Sequence, residues 1–465
     1  MKQDLPGNNA LRILERGIPL FRGGGKYREK AEAARSKGYV RPAQIILDRA
    51  QGDFIWDIDG KRYIDLQNGW ATNPLGNAHP EIIEAVHQAH QRYGFHYEHP
   101  LRYELAEKLA GIMPGRQLPR FNFEVSGTEA AEAAAYIALC HMKRRYVVTV
   151  SSAFHGESIA GKLLSAYDGS RNRYLEAWTG GVIKAPYPYS EGIPAGIEEA
   201  QYVEYCLWYL EKHIPGFIAP ADSIAAVLIE PGLAEGGNWI PASSFVRGVR
   251  EICDRQGWLM IADEVLTGLG RTGRMWGVEH YDVVPDLLVV GKNLSGGIEP
   301  CAGVAARDEI LADNPQAGTG STFAATPAGC AAGLKTLEIY ERDRVVEHAA
   351  RLAEMAAPIL KGFEKYPIVG EARARGLLMG VSFRHPDGGD DSMAARAVRS
   401  YMLHHGVYPI CDFGERVVRM YPALNMDENV LREALEVMEA AIVHVAEHGT
   451  PEGDYPTYPT GDYGA

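Results

Sequence analysis

Asp286-Leu287-Leu288-Val289-Val290-Gly291-Lys292-Asn293-Leu294-Ser295-Gly296-Gly297 puts an apolar run directly before a lysine and a glycine-rich turn. A short apolar run bounded by turn residues reads as a buried strand. Most lysines are solvated. One that ends a buried strand in a cleft can lose its hydration, have its pKa lowered and act as an amine nucleophile. Upstream, Trp258-Leu259-Met260-Ile261-Ala262-Asp263-Glu264-Val265 repeats the pattern, an apolar strand ending in two carboxylates. In open α/β sheets, ligands bind beyond the carboxyl ends of strands. Asp263 and Lys292 therefore fall where a ligand would sit, although an acid in that place is also an ordinary helix cap or surface group. Further apolar runs at 121–125, 146–150 and 225–230 are separated by helical patterns. Buried strands alternating with helices predict an α/β domain with a largely parallel sheet.

Phe121-Asn122-Phe123-Glu124-Val125-Ser126-Gly127-Thr128-Glu129 is a strand that stops at Ser126, with an Ala-rich helix starting at once. Ser126 and Glu129 have capping-box spacing. A helix N-terminus with free amides, two hydroxyls and a glycine is a natural phosphate site; the same residues also read as a simple cap.

The flanks complete the architecture. Phe54 to Ile64 alternates around an Asp-Gly turn and predicts a hairpin. Glu81–Tyr93 and Tyr103–Ile112 predict amphipathic helices. From about residue 330 the pattern changes to long helices (330–342, 345–365), strands at 377–383 and 417–421, and a closing helix at 428–447. The chain divides on this reading into an N-terminal arm with part of a small domain (1–75), a large domain (76–328), a smaller α+β C-terminal domain (329–450) and a tail (451–465). A turn is expected at Gly23-Gly24-Gly25. The tail, rich in Pro, Gly, Tyr and Asp, is expected to be disordered or draped on a partner subunit.

The 465 residues carry a formal charge of −13, with 46% apolar and 23% charged residues. That balance permits a sizeable core and disfavours nucleic acid or an anionic membrane as partner, since either favours a basic face. Six scattered cysteines form no CxxC pair, which points to thiols in a reducing compartment. No signal-peptide pattern and no membrane-spanning apolar run are present, so the expected location is cytoplasmic.

An acid and an amine on two strand ends beside a phosphate cradle is the set that pyridoxal 5'-phosphate (PLP) requires. Ser126-Gly127-Thr128-Glu129-Ala130, Phe154-His155-Gly156, Glu230-Pro231, Asp263-Glu264-Val265, Thr267-Gly268-Leu269-Gly270-Arg271-Thr272-Gly273, Gly291-Lys292 and Gly320-Ser321-Thr322-Phe323 resemble, in order and spacing, the class III aminotransferases. So do Trp56 to Tyr63 and Arg375-Gly376-Leu377. The resemblance covers roughly residues 45–445. It implies the fold type I architecture and a homodimer, or a dimer of dimers, with active sites at the interface. It implies that Lys292 is the Schiff-base lysine and proton shuttle and that Asp263 pairs with the pyridine nitrogen. Ser126, Gly127 and Thr128 would bind the phosphate, with Thr322 supplied by the neighbouring subunit. Phe154 would stack on one ring face, beside His155, and Val265 would pack on the other; Glu230 would support the site near Asp263.

For the substrate, Arg419 resembles the family arginine that grips an α-carboxylate, a task that suits a guanidinium fork. Glu235 resembles the gate carboxylate that pairs with it. Trp70 falls where the family places a pocket aromatic, though it also reads as a core or interface residue. Three positions depart from the pattern. Glu157 stands where glutamate-using branches carry Arg, which favours an acceptor such as pyruvate over 2-oxoglutarate. Leu266 replaces a frequent Gln, and Asn77 a frequent His. The Gly268–Gly273 run does not follow a strand in Rossmann fashion and is no dinucleotide site. His87, His90, His96 and His99 read as helix and loop residues, and no metal is expected. Residues 203–214 predict a helix packed on the sheet or a partner. The expected reaction is ping-pong transfer of an amino group from an amine or amino acid to a 2-oxo acid. Racemases or epimerases, aminomutases and decarboxylating enzymes share the scaffold and stay open; a regulatory protein on it would carry an added DNA-binding domain.

Overall fold

The computed structural model describes residues 7–17, 45–94, 97–166, 175, 180–312, 314, 318–385, 389, 391–411 and 416–450. The Gly23–Gly25 turn, His96 and the tail from Pro451 lie outside them. Strands β1 (Leu47–Gln51), β2 (Phe54–Asp57) and β3 (Arg62–Asp65) form an antiparallel meander. The expected hairpin is β2–β3, its turn held by Asp57 Oδ1, which accepts from the amides of Asp59 and Lys61 at 3.1 and 2.8 Å.

The central sheet contains β4 (Arg120–Glu124), β5 (Tyr146–Val150), β6 (Val182–Ala185), β7 (Ile224–Ile229), β8 (Leu259–Asp263), β9 (Leu287–Val290) and β10 (Ala302–Ala306), in the order β4-β10-β9-β8-β7-β5-β6. Within it β5 to β9 pair in parallel, and β10 runs antiparallel to both β4 and β9. The β9–β10 connection is filled by the Lys292 turn and is too short for a crossover helix, so the chain must return antiparallel. Every residue of β7 and β9 is buried, as continuous apolar runs covered on both faces require. On one face lies the Gly127–Met142 helix, whose Ala130, Ala131, Ala133, Ala134 and Ala138 bring its backbone close to Val289 and Val304. Against the other face packs the Ser243–Gln256 helix, through Phe245, Val246, Val249 and Ile252.

Beyond residue 326, the Pro327–Asp343 and Val345–Gly362 helices lead into an antiparallel sheet of β11 (Val369–Arg375), β12 (Leu378–Phe383) and β14 (Val417–Met420), order β11-β12-β14. Between them β13 (Val407–Tyr408) pairs with β3, joining the N-terminal meander to the C-terminal part of the chain. The Glu428–His448 helix closes the chain. One apolar cluster runs from Leu288 and Val290 through Leu352 and Met379 to Leu435. The helix expected at 203–214 is an α-helix, Glu199–Trp208, that widens into a π-helical segment, Tyr209–Ile218. All six cysteines are free thiols, and no helix among the described residues is long and apolar enough to cross a membrane.

Candidate active site

Strands β4, β5, β7, β8 and β9 all point their carboxyl ends the same way, and the chemistry-bearing residues follow those ends. Asp263 closes β8 and pairs in register with Val289 of β9; Lys292 follows the end of β9 by two residues. Glu230 follows β7, and Phe154 and His155 lie in the loop after β5. Parallel register alone thus gathers residues far apart in sequence at one sheet edge.

Asp263 is buried and held from two sides. Its Oδ1 accepts the Val265 amide at 3.0 Å, and its Oδ2 faces His155 Nδ1 at 2.8 Å. A ring nitrogen against a carboxylate carries the proton, so Nδ1–H donates and Nε2 is left as acceptor. Nε2 is buried with no partner among the described residues. Glu230 ties two loops together: Oε1 accepts from Phe154 N at 2.8 Å and Oε2 from Ala234 N at 3.0 Å. Burial, then the nearby Asp263, pushes its carboxyl up to about 8.

Lys292 has φ 36, in the left-handed region that non-glycine residues seldom visit. Its ammonium pKa is lowered, chiefly by burial; Glu235, Glu230 and Asp263 act against that shift and Arg419 adds to it. One lysine thus feels all four of these charges, so the carboxylates and Arg419 converge on it. Arg419, fully buried, donates from Nη1 to Glu235 Oε2 at 2.8 Å.

Ser126 caps the Gly127–Met142 helix by accepting from Glu129 N at 3.2 Å. Glu129 reaches back to Val125 N at 3.1 Å rather than to Ser126 N, so the box closes one residue early. The first-turn amides of Gly127 and Thr128 have no intrahelical carbonyl to bond. A Cβ on Gly127 would lie 2.7 Å from Val265 Cγ1, and one on Gly156 would lie 2.4 Å from Thr128 Cγ2. The cradle is therefore closed to side chains but open to an anion at the helix N-terminus. These features fit PLP: an amide-lined phosphate seat, a fixed carboxylate and a desolvated amine. Gly127→Ala is expected to press Val265 out of place and raise the Kd for PLP about tenfold or more, while the helix tolerates Ala. Spectral titration of the apo-protein, with its Tm as control, checks this.

Trp70 stands in an unusual turn. Asn68, Gly69, Trp70 and Ala71 have φ of 54, 60, 59 and 62, a left-handed turn closed by Ala71 N to Gln67 O and Thr72 N to Asn68 O, both 3.0 Å. Such a turn costs about 1–2 kcal/mol per non-glycine residue and persists only where its surroundings hold it. Buried Asp65 accepts from Gln67 N, Asn68 N and Asn77 Nδ2 at 3.0, 2.8 and 2.8 Å, and Asn73 donates to Asn77 Oδ1 at 2.8 Å. Asn77 is thus a member of this network. The turn sets Trp70 against a cluster of Ala71, Ala234, Leu266, Leu378 and Tyr421. On its other side a Cβ on Gly297 would lie 1.6 Å from Asn73 Oδ1, so the Trp70 and Lys292 turns abut.

Two residues named from the sequence stand apart. Thr322 is exposed beside Phe323, itself 55% exposed, and no hydrogen bond among the described residues ties it to the Lys292 group. Glu157 pairs with Lys162 at 3.2 Å. Of the histidines, His87 meets Gln91, His90 faces Glu299 and His99 faces Ala325 O. Sequence reasoning missed Lys184, whose ammonium donates to Thr149 Oγ1 and to the carbonyls of Leu163, Leu164 and Ser165 at 2.6–3.0 Å; Ser165 in turn accepts from His155 N at 2.8 Å. Nothing in its local sequence distinguishes it from a solvated strand lysine.

Residues 35–442 match the family described as aminotransferase class-III. The chain is 31% identical over 427 residues to a probable 4-aminobutyrate aminotransferase of Bacillus subtilis, covering 90% of this chain and 97% of that one. It is also 31% identical to an isoleucine 2-epimerase of Lentilactobacillus buchneri, covering 88% and 93%. Among solved structures, an (S)-enantioselective omega-transaminase from Thermomicrobium roseum superposes with a TM-score of 0.83 at 26% identity, covering 94% of this chain and 98% of that one. The chain belongs to the class III aminotransferase family. It is a PLP-dependent enzyme of the fold type I architecture, and its class of reaction is amino-group transfer.

Proposed function

We propose that this aminotransferase passes an amino group between an amine or amino acid donor and a monocarboxylic 2-oxo acid, with Arg419 receiving the carboxylate. The observation that carries the reading is the Arg419–Glu235 pair, 2.8 Å long, whose two charges both act on Lys292. Without a carboxylate ligand, Glu235 neutralises the buried guanidinium; a substrate carboxylate takes its place in the same fork.

PLP, once bound, supplies an electron sink for the pair released at the substrate carbon. Lys292, its ammonium pKa lowered chiefly by burial, takes a proton from the donor carbon and returns it to the acceptor carbon. Asp263, aligned by His155 and Val265 N, would keep the ring nitrogen protonated. Ser126, Gly127 and Thr128 would seat the phosphate, and Phe154 and Val265 would pack against the ring. Glu230 fixes the Phe154 loop, and Trp70 with Leu266 forms an apolar wall that keeps water from the reacting carbon.

Glu157 supports the monocarboxylate assignment. It places an anion beside the Phe154-His155-Gly156 loop, and the neighbouring cation, Lys162, is already paired with it. A second substrate carboxylate finds no unpaired cation in Lys162. The exposure of Thr322 and Phe323 supports a second copy of the chain at that surface, with Thr322 completing the partner's phosphate seat. On this reading residues 76–328 carry the cofactor and residues 329–450 the carboxylate end. Six cysteines outside any disulfide suit a cytoplasmic setting.

The test is a stopped-flow absorbance scan of PLP-loaded protein mixed with amines and amino acids in the absence of any oxo acid. A donor that converts the cofactor to its amino form establishes transfer, and recovery with pyruvate but not 2-oxoglutarate establishes the acceptor. Loss of optical rotation with no such conversion would favour an epimerase, the reaction named for the Lentilactobacillus relative. Arg419→Gln is expected to raise the apparent KM for pyruvate about 10- to 100-fold, as loss of a charge-assisted fork implies, an effect far larger than its disturbance of the cofactor spectrum. An unchanged KM would remove Arg419 from this role.

A further inference from the structure

Behind the Arg419–Glu235 pair lies a chain of hydrogen bonds whose direction is fixed. Asn238 is fully buried, and its Nδ2 donates to the Met379 carbonyl at 2.6 Å. Only Nδ2 can donate to a carbonyl, so Oδ1 must face the other way, towards Tyr421. The Tyr421 hydroxyl lies 2.7 Å from that Oδ1 and must donate to it. With its proton committed, the phenol oxygen presents only lone pairs elsewhere, and Arg419 Nη1 donates to it at 3.3 Å. The same Nη1 serves Glu235.

Asn238 itself is held in place. It has φ 56, a left-handed conformation. Arg373 lies 3.3 Å over the Trp239 ring and donates to the Gly237 carbonyl at 2.6 Å and the Asn238 carbonyl at 3.2 Å. Arg373 belongs to β11 and Met379 to β12, and Tyr421 directly follows β14. All three strands of the small sheet thus clamp the loop that carries Glu235.

We propose that Tyr421, oriented by Asn238, is a positioning residue for substrate carboxylates: it keeps the Arg419 guanidinium in its place when Glu235 turns away. The Tyr421 hydroxyl gives the buried guanidinium a contact that stays in place when Glu235 moves. A neutral acceptor that cannot move with the gate holds the fork without competing with an incoming carboxylate for charge. The proposal rests on the carboxylate role of Arg419 given above.

The holoenzyme is treated with aminooxyacetate and, separately, with methoxyamine. Both bleach the cofactor band of a PLP protein without turnover, and they differ by a carboxylate. The quantity read is the ratio of their second-order rate constants. Tyr421→Phe keeps the ring and is expected to lower the ratio about tenfold, the weight of one hydrogen bond to a charged group. Asn238→Gly accepts the left-handed backbone and is expected to lower it about threefold or more by freeing the phenol. Arg419→Gln sets the floor. If Arg419→Gln leaves the ratio unchanged, the carboxylate reading itself fails. If Arg419→Gln lowers it while Tyr421→Phe and Asn238→Gly do not, or slow both probes equally, the reading stands and the proposal is overturned. Melting temperatures identify a misfolded Tyr421→Phe, and Asn238→Gly then decides the question.

Discussion

Lys292→Ala is expected to lower turnover at least about a thousandfold, the combined weight of a lost amine nucleophile and a lost general base. Among the described residues the side chain has no evident substitute. The groups whose charges act on it include Glu235, Glu230, Asp263 and Arg419, three acids and a guanidinium that stays protonated. Glu230 is committed to the amides of Phe154 and Ala234, and Asp263 to Val265 N and His155. The variant should still bind PLP through the Gly127–Thr128 amides, but without the long-wavelength band of the lysine-linked cofactor. Melting temperature serves as the control that the variant is folded. Added methylamine should restore part of the rate, since a small free amine fits the vacated volume. Full turnover and an unchanged band in Lys292→Ala would place the reactive amine elsewhere.

Much of this site could be read in the chain because its residues sit at strand ends, and strand ends are visible in sequence. The apolar runs before Asp263 and Lys292 mark β8 and β9, and their parallel pairing does the rest. Ser126 declares itself by the helix that follows. Less visible were β6 and β10, Val-Ile-Lys-Ala and Ala-Gly-Val-Ala-Ala, whose small or mixed side chains give no strong period. The left-handed turn at Trp70 was only half visible: Asn68-Gly69 favours positive φ, but nothing local in Trp70-Ala71 continues it, and hydrogen bonds to Asp65 and Asn77 brace it. Tyr421 and Asn238 share that property. Their roles exist only because a loop after β7 meets a sheet formed far later in the chain, and single-sequence patterns record no such meeting. Thr322 illustrates a different limit, since its expected partner would be a second copy of the chain.

Asp263→Asn should lower kcat about 10²- to 10³-fold while sparing the fold, a loss of the size seen when one preorganised electrostatic contact is removed. The substitution is isosteric but changes two things together. It removes the charge that would keep a ring nitrogen protonated, and it replaces two acceptor oxygens with one. Val265 N and His155 Nδ1 both now point at acceptors, 3.0 and 2.8 Å away. A carboxamide can satisfy only one of them unless His155 changes tautomer, moving its proton to Nε2. That nitrogen is buried with no partner among the described residues, so the moved proton would be stranded at a cost of about 1–3 kcal/mol. In the expected compromise the carboxamide oxygen keeps the Val265 amide, and the imidazole is left strained or rotated, visible as a shifted His155 ring resonance. Charge and geometry can then be separated. Asp263→Ala reconstituted with a cofactor methylated at the ring nitrogen carries a fixed positive charge without needing the acid. Recovery of about tenfold or more in that pairing, and none with ordinary PLP, would assign the loss to charge. A variant Asp263→Asn that kept turnover within about threefold would mean that the acid orients His155 and does little more.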